Sequence, residues 1–377
     1  VSKKALRASG TFLLLTLSTT LWSATAQVPK TAPSTAATKP SPQALRILSD
    51  MALEAPLKNA TDVRWANGHS VVLALRKDGV VEYDLDGKSS PKKMISGEGT
   101  PGGFWDSHHI GISSRYLVVG AWLFTMTWRP LDSAMRNEEA FDGIHDLDVY
   151  QNRVAVVGAR RNAEGDYAPD GAIAWIGSLD KNLSDLKPLI FDAGGAGAPN
   201  MGSCASFFLG AVRFLTDGSL VVVPGVQPGI DRFDPQGKLI KTLDTVALGI
   251  DTDCSSIGKD MSAKMAHDVP RRLAWINQRR TVDDILPLPA GPGLLIRSVQ
   301  QGEVRWMLKV LYPDGKVAVY DVPIHAQNAF SHLKGDFRQG RLVLLLWGNP
   351  PDRNPEHAPL PHLLIVAPPV ASPSVSG

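Results

Sequence analysis

Six times along this chain a half-apolar stretch runs into a tight polar turn and then into a stretch that is almost wholly apolar. The copies are VRWANGHSVVLAL (residues 63–75), IGISSRYLVVGAW (110–122), LDVYQNRVAVVGA (147–159), VRFLTDGSLVVVPG (212–225), ILPLPAGPGLLIRS (285–298) and LKGDFRQGRLVLLLWG (333–348). Their starts lie 47, 37, 65, 73 and 48 residues apart. That is near the roughly 40 to 50 residues of a four-stranded propeller blade once the two long gaps are taken as insertions. The second stretch of each unit is apolar on both faces, as in Val71-Val72-Leu73, Leu117-Val118-Val119 and residues 342–346. A strand of that kind needs cover on both sides, which adjacent blades provide. A β-sandwich, the alternative all-β arrangement, would call for cleaner apolar/polar alternation. The expected fold class is therefore all-β, a six-bladed β-propeller over residues 44–369.

Asn67-Gly68, Asp217-Gly218 and Gln339-Gly340 carry residues that tolerate positive φ in hairpins. Third strands follow most units, as in VVEYDLDGK (80–88), GIDRFDPQGK (229–238) and WMLKVLYPDGKVAVYDV (306–322). Ring closure needs a strand from one terminus in the blade formed by the other. Residues 44–49 (ALRILS) are the apolar N-terminal stretch available to pair in the blade of residues 333–366, although residues 41–57 also have helical spacing.

Residues 217–238 (DGSLVVVPGVQPGIDRFDPQGK) resemble one blade of the six-bladed NHL-like propellers. That family's pattern is an Asp-Gly turn, an apolar strand, a Gly-bearing turn and a Phe-Asp-x-x-Gly-Lys hairpin. Residues 78–88 and 313–322 match the hairpin part only. The resemblance implies architecture rather than chemistry, because such propellers host many functions.

The N-terminal residues read as an address. Lys3, Lys4 and Arg7 precede a short apolar core (11–22), and Ala24-Thr25-Ala26 supplies the small residues of a cleavage site. Residues 1–26 are thus expected to be a cleaved signal peptide, with an uncleaved anchor as the alternative, and the protein to be periplasmic or secreted. No integral membrane segment is expected after cleavage. Residues 27–43 and 370–377, rich in Pro, Ala, Ser and Thr, are expected to be a disordered linker and tail. The formal charge of +2 becomes −1 when three cations and no anion leave with the signal, too small a field for nucleic-acid binding. Cys204 precedes the first strand of the fourth unit and Cys254 follows its last, so an exported chain is expected to pair them as one disulfide, with two free thiols as the alternative.

Links between first and second strands are short, whereas the other links include long segments such as 124–141, 160–171, 191–206, 245–280 and 349–361. The face bearing the long segments is the expected functional face. Asp62, His108, His109, His145, Asp146, Asp284 and His332 stand immediately before first strands, around the expected mouth of the central channel. Imidazole and carboxylate together suit a ligand or a divalent cation; no other cofactor is expected. Their plainer role is to bond strand-end backbone groups. Trp105 and Trp128 beside loops, and Arg160, Arg161, Arg271, Arg272, Arg279 and Arg280, form a candidate interaction surface for a protein or cell-surface polymer; packing and solvated charge are the alternatives.

The sequence carries no Gly-x-Ser-x-Gly elbow, phosphate loop or His-x-x-x-His pair. The expected function is an exported binding or protein-interaction module. The alternative is a metal-dependent hydrolase similar to the gluconolactonase-type propellers, which hold a metal with a Glu, two Asn and an Asp. Glu98 resembles that family's early Glu, but His stands where its Asn pair would be needed.

Overall fold

A computed structural model describes residues 42–85, 91–96, 108–120, 122–125, 142–159, 172–181, 185–191, 210–224, 229–251, 270, 274–275, 277–349 and 357–369. The expected signal peptide, almost all of the linker, the C-terminal tail, both cysteines and most of the long segments lie outside the described residues. Among the described residues no helix is long and apolar enough to cross a membrane.

The chain opens with β1 (Gln43–Ala44) and β2 (Ile47–Ala52), which join sheets formed later. The first sheet is β3 (Asp62–Trp65), β4 (Ser70–Ala74), β5 (Gly79–Asp84) and β6 (Pro91–Ser96). The second has β7 (Ile110–Ile112), β8 (Tyr116–Val119) and β9 (Trp122–Thr125). The third contains β10 (Asp142–Tyr150), β11 (Arg153–Ala159), β12 (Ala172–Ser178) and β13 (Lys187–Phe191). The fourth comprises β14 (Ala211–Phe214), β15 (Leu220–Val223), β16 (Ile230–Phe233) and β17 (Leu239–Leu243). The fifth is β18 (Thr281–Leu288), β19 (Gly291–Gln300), β20 (Glu303–Leu311) and β21 (Val317–Ala326), with β1 added in parallel to β21. The sixth is β22 (Ser331–Arg338), β23 (Arg341–Gly348) and β24 (His362–Val366), with β2 antiparallel at its outer edge.

Within each sheet, strands that follow one another in sequence pair antiparallel. The first strands neighbour one another in a closed circuit, β3 beside β7, then β10, β14, β18, β22 and β3 again. This is a β-propeller. Burial falls from the axis outward: β14 and β15 are fully buried, whereas β17 is exposed over most of its length.

The apolar runs owe their lack of alternation to this arrangement. Val71 and Leu73 pack against Val343 and Leu345 of the sixth sheet, while Val72 and Ala74 pack against Ile110, Leu117 and Val119 of the second. Tyr116 and Val118 in turn meet Leu147, Val149 and Val154 of the third. Successive residues of one strand thus serve different interfaces, and each such side chain contributes about 1.5 to 3 kcal/mol by leaving water.

Closure follows the expected terminal exchange, with a shift in the residues used. Residues 47–52 pair with β24, Ile47 opposite Val366 and Ala52 opposite His362, while Gln43 and Ala44 reach the fifth sheet. The helix that this stretch could form by spacing is absent among the described residues 42–57, because the edge of β24 offers its backbone partners along the chain. Gln43, assigned to the linker by composition, already pairs with Tyr320.

The hairpins differ in detail. Gln339 and Gly340 both have positive φ, 52° and 75°, as a two-residue hairpin turn demands. At Asp217-Gly218 only the glycine does, with φ 79°. The Asn67-Gly68 turn uses no positive φ; instead Asn67 Oδ1 accepts the backbone N–H groups of His69 and Ser70.

Candidate functional site

Alternation along the first strands sorts side chains between blade interfaces and the axis. Val63 and Trp65 pack between the sixth and first sheets, which turns Asp62 and Arg64 the other way. Leu147 and Val149 likewise enter an interface, leaving Asp146 and Asp148 toward the centre, and Val212 and Phe214 leave Arg213 there. Leu333 packs between the fifth and sixth sheets and leaves Lys334. Asp62, Arg64, Asp146, Asp148, Arg213, Asp284 and Lys334 are all buried.

The acidic members tie neighbouring sheets together. Asp62 Oδ2 accepts the Ile110 N–H at 3.0 Å, linking the first and second sheets. Asp146 Oδ2 takes the Val212 N–H at 3.0 Å and Asp148 Oδ2 the Phe214 N–H at 2.8 Å, linking the third and fourth. Asp283 and Asp284 receive Leu333 and Gly335 at 3.1 and 2.8 Å, linking the fifth and sixth, and Asp336 receives Trp65 at 2.9 Å, linking the sixth to the first. The backbone-bonding role expected as the plainer alternative is thus what Asp62, Asp146 and Asp284 perform. The backbone groups belong to the adjacent sheet and, for Asp62 and Asp284, also to their own strands, where Oδ1 accepts the N–H of Val63 and of Ile285 at 2.8 Å each.

Buried cations balance these carboxylates. Arg64 Nη1 lies 2.5 Å from Asp62 Oδ1, and Arg213 Nη2 lies 2.8 Å from Asp284 Oδ1. Arg64 Nη2 and Lys334 Nζ approach Asp146 Oδ1 at 3.8 and 3.7 Å. Burial pushes the carboxyls of Asp62 and Asp148 up to about 6, against the pull of Arg64 and Lys334 on the first and Arg213 and Arg64 on the second. For Asp284, burial acts upward, but Arg213, Lys334 and Arg64 outweigh it and hold the carboxyl at about 2.

His108, His109 and His145 gather at the end of the axis where the first strands begin. The rings of His108 and His109 are 6.3 Å apart, and His109 Nδ1 lies 3.8 Å from Asp146 Oδ1. Burial, helped by Lys334 and the neighbouring His108, His145 and Arg64, holds His109 well below the usual imidazole range and so neutral at pH 7. His332 does not join them. Its Nδ1 lies 3.4 Å from Asp283 Oδ1 and its ring 5.0 Å from that of Trp347.

Asp62, His109 and Asp146 bring ligand-type atoms within 4.8 Å of one another, the spacing of a cation site. The donor set does not fit a divalent cation. Asp62 accepts a backbone N–H on each oxygen and Asp146 on one, and Arg64 and Lys334 already face Asp62 Oδ1 and Asp146 Oδ1. An ion there would meet two fixed positive charges in a low-dielectric interior.

Of the expected interaction surface, Arg279 and Arg280 lie among the described residues. Arg279 stacks 3.5 Å above the Trp275 ring and donates to the Trp275 carbonyl, while Arg280 pairs with Asp251 at 3.3 Å. Trp105, Trp128, Arg160, Arg161, Arg271 and Arg272 lie outside them.

A cavity of about 270 Å³ opens at the other end of the axis, where the first strands finish and turn into the second. Its charged lining is Arg64, Asp148, Arg213, Asp336 and Arg338. The long segments expected to carry function lie mostly outside the described residues; among the described residues, a cavity with converging charge lies on the short-turn face. Sequence reasoning passed over these five residues. The available signal was a polar residue at i+2 within an otherwise apolar first strand, as in Asp62-Val63-Arg64 and Asp146-Leu147-Asp148.

No protein-family model and no curated protein matches this chain. Among solved structures, it is similar to a member of the DUF4221 family from Bacteroides vulgatus at 11% identity, with 86% of this chain and 97% of that one covered and a TM-score of 0.48. It is also similar to U3-55K, at 10% identity, 84% and 98% coverage and a TM-score of 0.46. A third similar structure is a streptogramin B lyase, at 12% identity, 86% and 87% coverage and a TM-score of 0.41.

Proposed function

We propose that this chain is an exported binding module on a six-bladed propeller, and that it holds its ligand in the axial cavity of the short-turn face. The six-blade reading takes β7–β9 as a blade in its own right, since its first strand stands in the central circuit between β3 and β10. Export rests on the basic, apolar and small-residue series of residues 1–26.

One observation carries the binding reading. Arg64 and Arg213, whose side chains are only 2% exposed, converge with Asp148, Asp336 and Arg338 on one concave site at the end of the axis. A concave site where a few charged groups converge beside apolar walls is the usual form of a small-molecule site. The hydrolase alternative is less well supported, because Asp62 and Asp146 are committed to inter-sheet bonds and to Arg64 and Lys334.

The test is fragment soaking of crystals with a mixed set of small polar molecules, on the parent protein and on Thr216→Trp. Thr216 lines the cavity and is exposed, so a bulky side chain there blocks the mouth without entering the core. Fragment density at Arg64 and Arg213 in the parent, absent in the variant, is expected. Fragments gathering elsewhere, with this mouth bare, would overturn the reading.

A further inference from the structure

We propose that the axial cavity holds a single neutral sugar ring, its hydroxyls bonded at the rim by Asp336 and Arg338 and its apolar faces set against Tyr150 and Phe337. The proposal rests on the reading of this cavity as a binding site and adds the chemistry of what enters it.

The buried charges of the axis give a guest no sign. Arg64, whose Nη1 holds Asp62 Oδ1, turns Nη2 toward Asp146 Oδ1 at 3.8 Å, and Arg213, paired with Asp284, turns Nη1 toward Asp148 Oδ1 at 3.8 Å. All of these side chains are buried, so they balance one another within the wall rather than reach into the opening. An ion of either sign would leave its hydration for a wall in which both signs already face each other. A neutral guest avoids that cost.

The polar groups open to a guest are of both kinds. Asp336 and Arg338 stand at positions i and i+2 of β22, which sets them on the same face of the strand, and both line the cavity. Asp336 is half-buried; it receives the Phe337 N–H on Oδ1 and the Trp65 N–H on Oδ2, and each carboxylate oxygen has a second lone pair. Arg338 is exposed and spends Nη1 on the Trp65 carbonyl at 3.1 Å, with Nε and Nη2 facing no described acceptor. An acceptor and a donor side by side suit a group that is both at once. A hydroxyl is such a group, and neighbouring hydroxyls on one ring engage the two together.

The remaining wall selects a ring. Tyr150 and Phe337 line the cavity and are half-buried, so part of each aromatic ring stays open, and the Tyr150 ring is held by Phe214 with centroids 5.8 Å apart. A pyranose carries C–H groups on its faces and hydroxyls around its edge, which matches aromatic surface beside a polar rim. About 270 Å³ is below the size of most drug-sized pockets, which limits the guest to one ring.

Saturation-transfer NMR and isothermal titration of the full chain test this with methyl β-D-glucopyranoside, methyl β-D-galactopyranoside and methyl α-D-mannopyranoside. The controls are sorbitol, which has the hydroxyls without the ring, cyclohexanol, benzoate and benzylamine. At least one pyranoside is expected to bind saturably with a Kd of about 1 mM, and about 10-fold or more tighter than any control. Arg338→Gln should weaken that binding by about 3- to 10-fold. Thr216→Trp, at the exposed mouth, should abolish it with an unchanged melting temperature. If a control binds as tightly as the pyranosides and Thr216→Trp removes it, the cavity remains a binding site and the sugar assignment falls. The sugar assignment also falls alone if no pyranoside binds while fragments still gather at this mouth in the crystal. If Thr216→Trp leaves all binding unchanged, or neither sugars nor fragments occupy the mouth, the sugar site and the binding reading fall together.

Discussion

Removing the carboxyl of Asp284 probes the charged axis most directly. In Asp284→Ala, Arg213 loses its 2.8 Å partner in a site where both side chains are at most 2% exposed, and the Gly335 N–H loses its 2.8 Å acceptor in the neighbouring sheet. Breaking a buried ion pair from one side costs about 3 to 5 kcal/mol, and an orphaned buried N–H adds about 1 to 3. The expected loss is therefore about 4 to 8 kcal/mol, a large part of the roughly 5 to 15 available to a folded domain. Asp284→Asn, which keeps an oxygen for Gly335, should lose only about half as much. Urea denaturation at pH 7 measures both. Because Asp284 is held at about 2 in the fold against 3.8 ordinarily, its stabilising share is complete above about pH 4 and fades as pH falls toward 2. The parent and the Ala variant should accordingly converge by about 2 kcal/mol in acid. A loss below about 1.5 kcal/mol at pH 7, or equal losses for Ala and Asn, would refute the view that this carboxylate joins the sheets.

Other perturbations reach different parts of the same frame. Asp62 and Asp148 titrate near 6 in the fold because burial favours their protonated forms, so stability should fall as pH rises from about 4 through 6, by about 3 kcal/mol for each group. Asp148→Asn, which still accepts from Phe214, should remove about half of that fall when denaturation is compared at pH 4.5 and 7.5. Gly335→Ala would place a Cβ 2.6 Å from Leu344 Cδ2 and 2.9 Å from the Val343 carbonyl, and a loss of about 1 to 3 kcal/mol should appear as a lowered melting temperature. Deleting residues 42–53 strips β2 from β24, and sedimentation should then detect association through the exposed strand edge.

Much of the fold was legible because propeller burial is written locally. Val71, Val72 and Leu73 in succession exclude a half-wet strand, and the polar-turn spacing divides the chain into units before any long-range contact is considered. Asp62, Asp146 and Asp284 stand out as acidic residues opening apolar strands. Their partners do not, because the N–H groups they bind lie 48, 66 and 51 residues away. Arg64, Arg213 and Lys334 read singly as ordinary exposed cations. They became buried pairs only when the circuit closed and set their strands against the same axis.

The amino-acid order by itself determined the all-β class, the repeated strand-turn-strand units and the need for a terminal strand to complete the ring, since each follows from side-chain period and turn chemistry over a dozen residues. Tertiary structure alone decided which residues of 47–52 complete the sixth sheet, which carboxylates tie neighbouring sheets, and which end of the axis opens into a cavity with converging charge. Those outcomes depend on distances between strands dozens to hundreds of residues apart, and only the closed ring sets such distances.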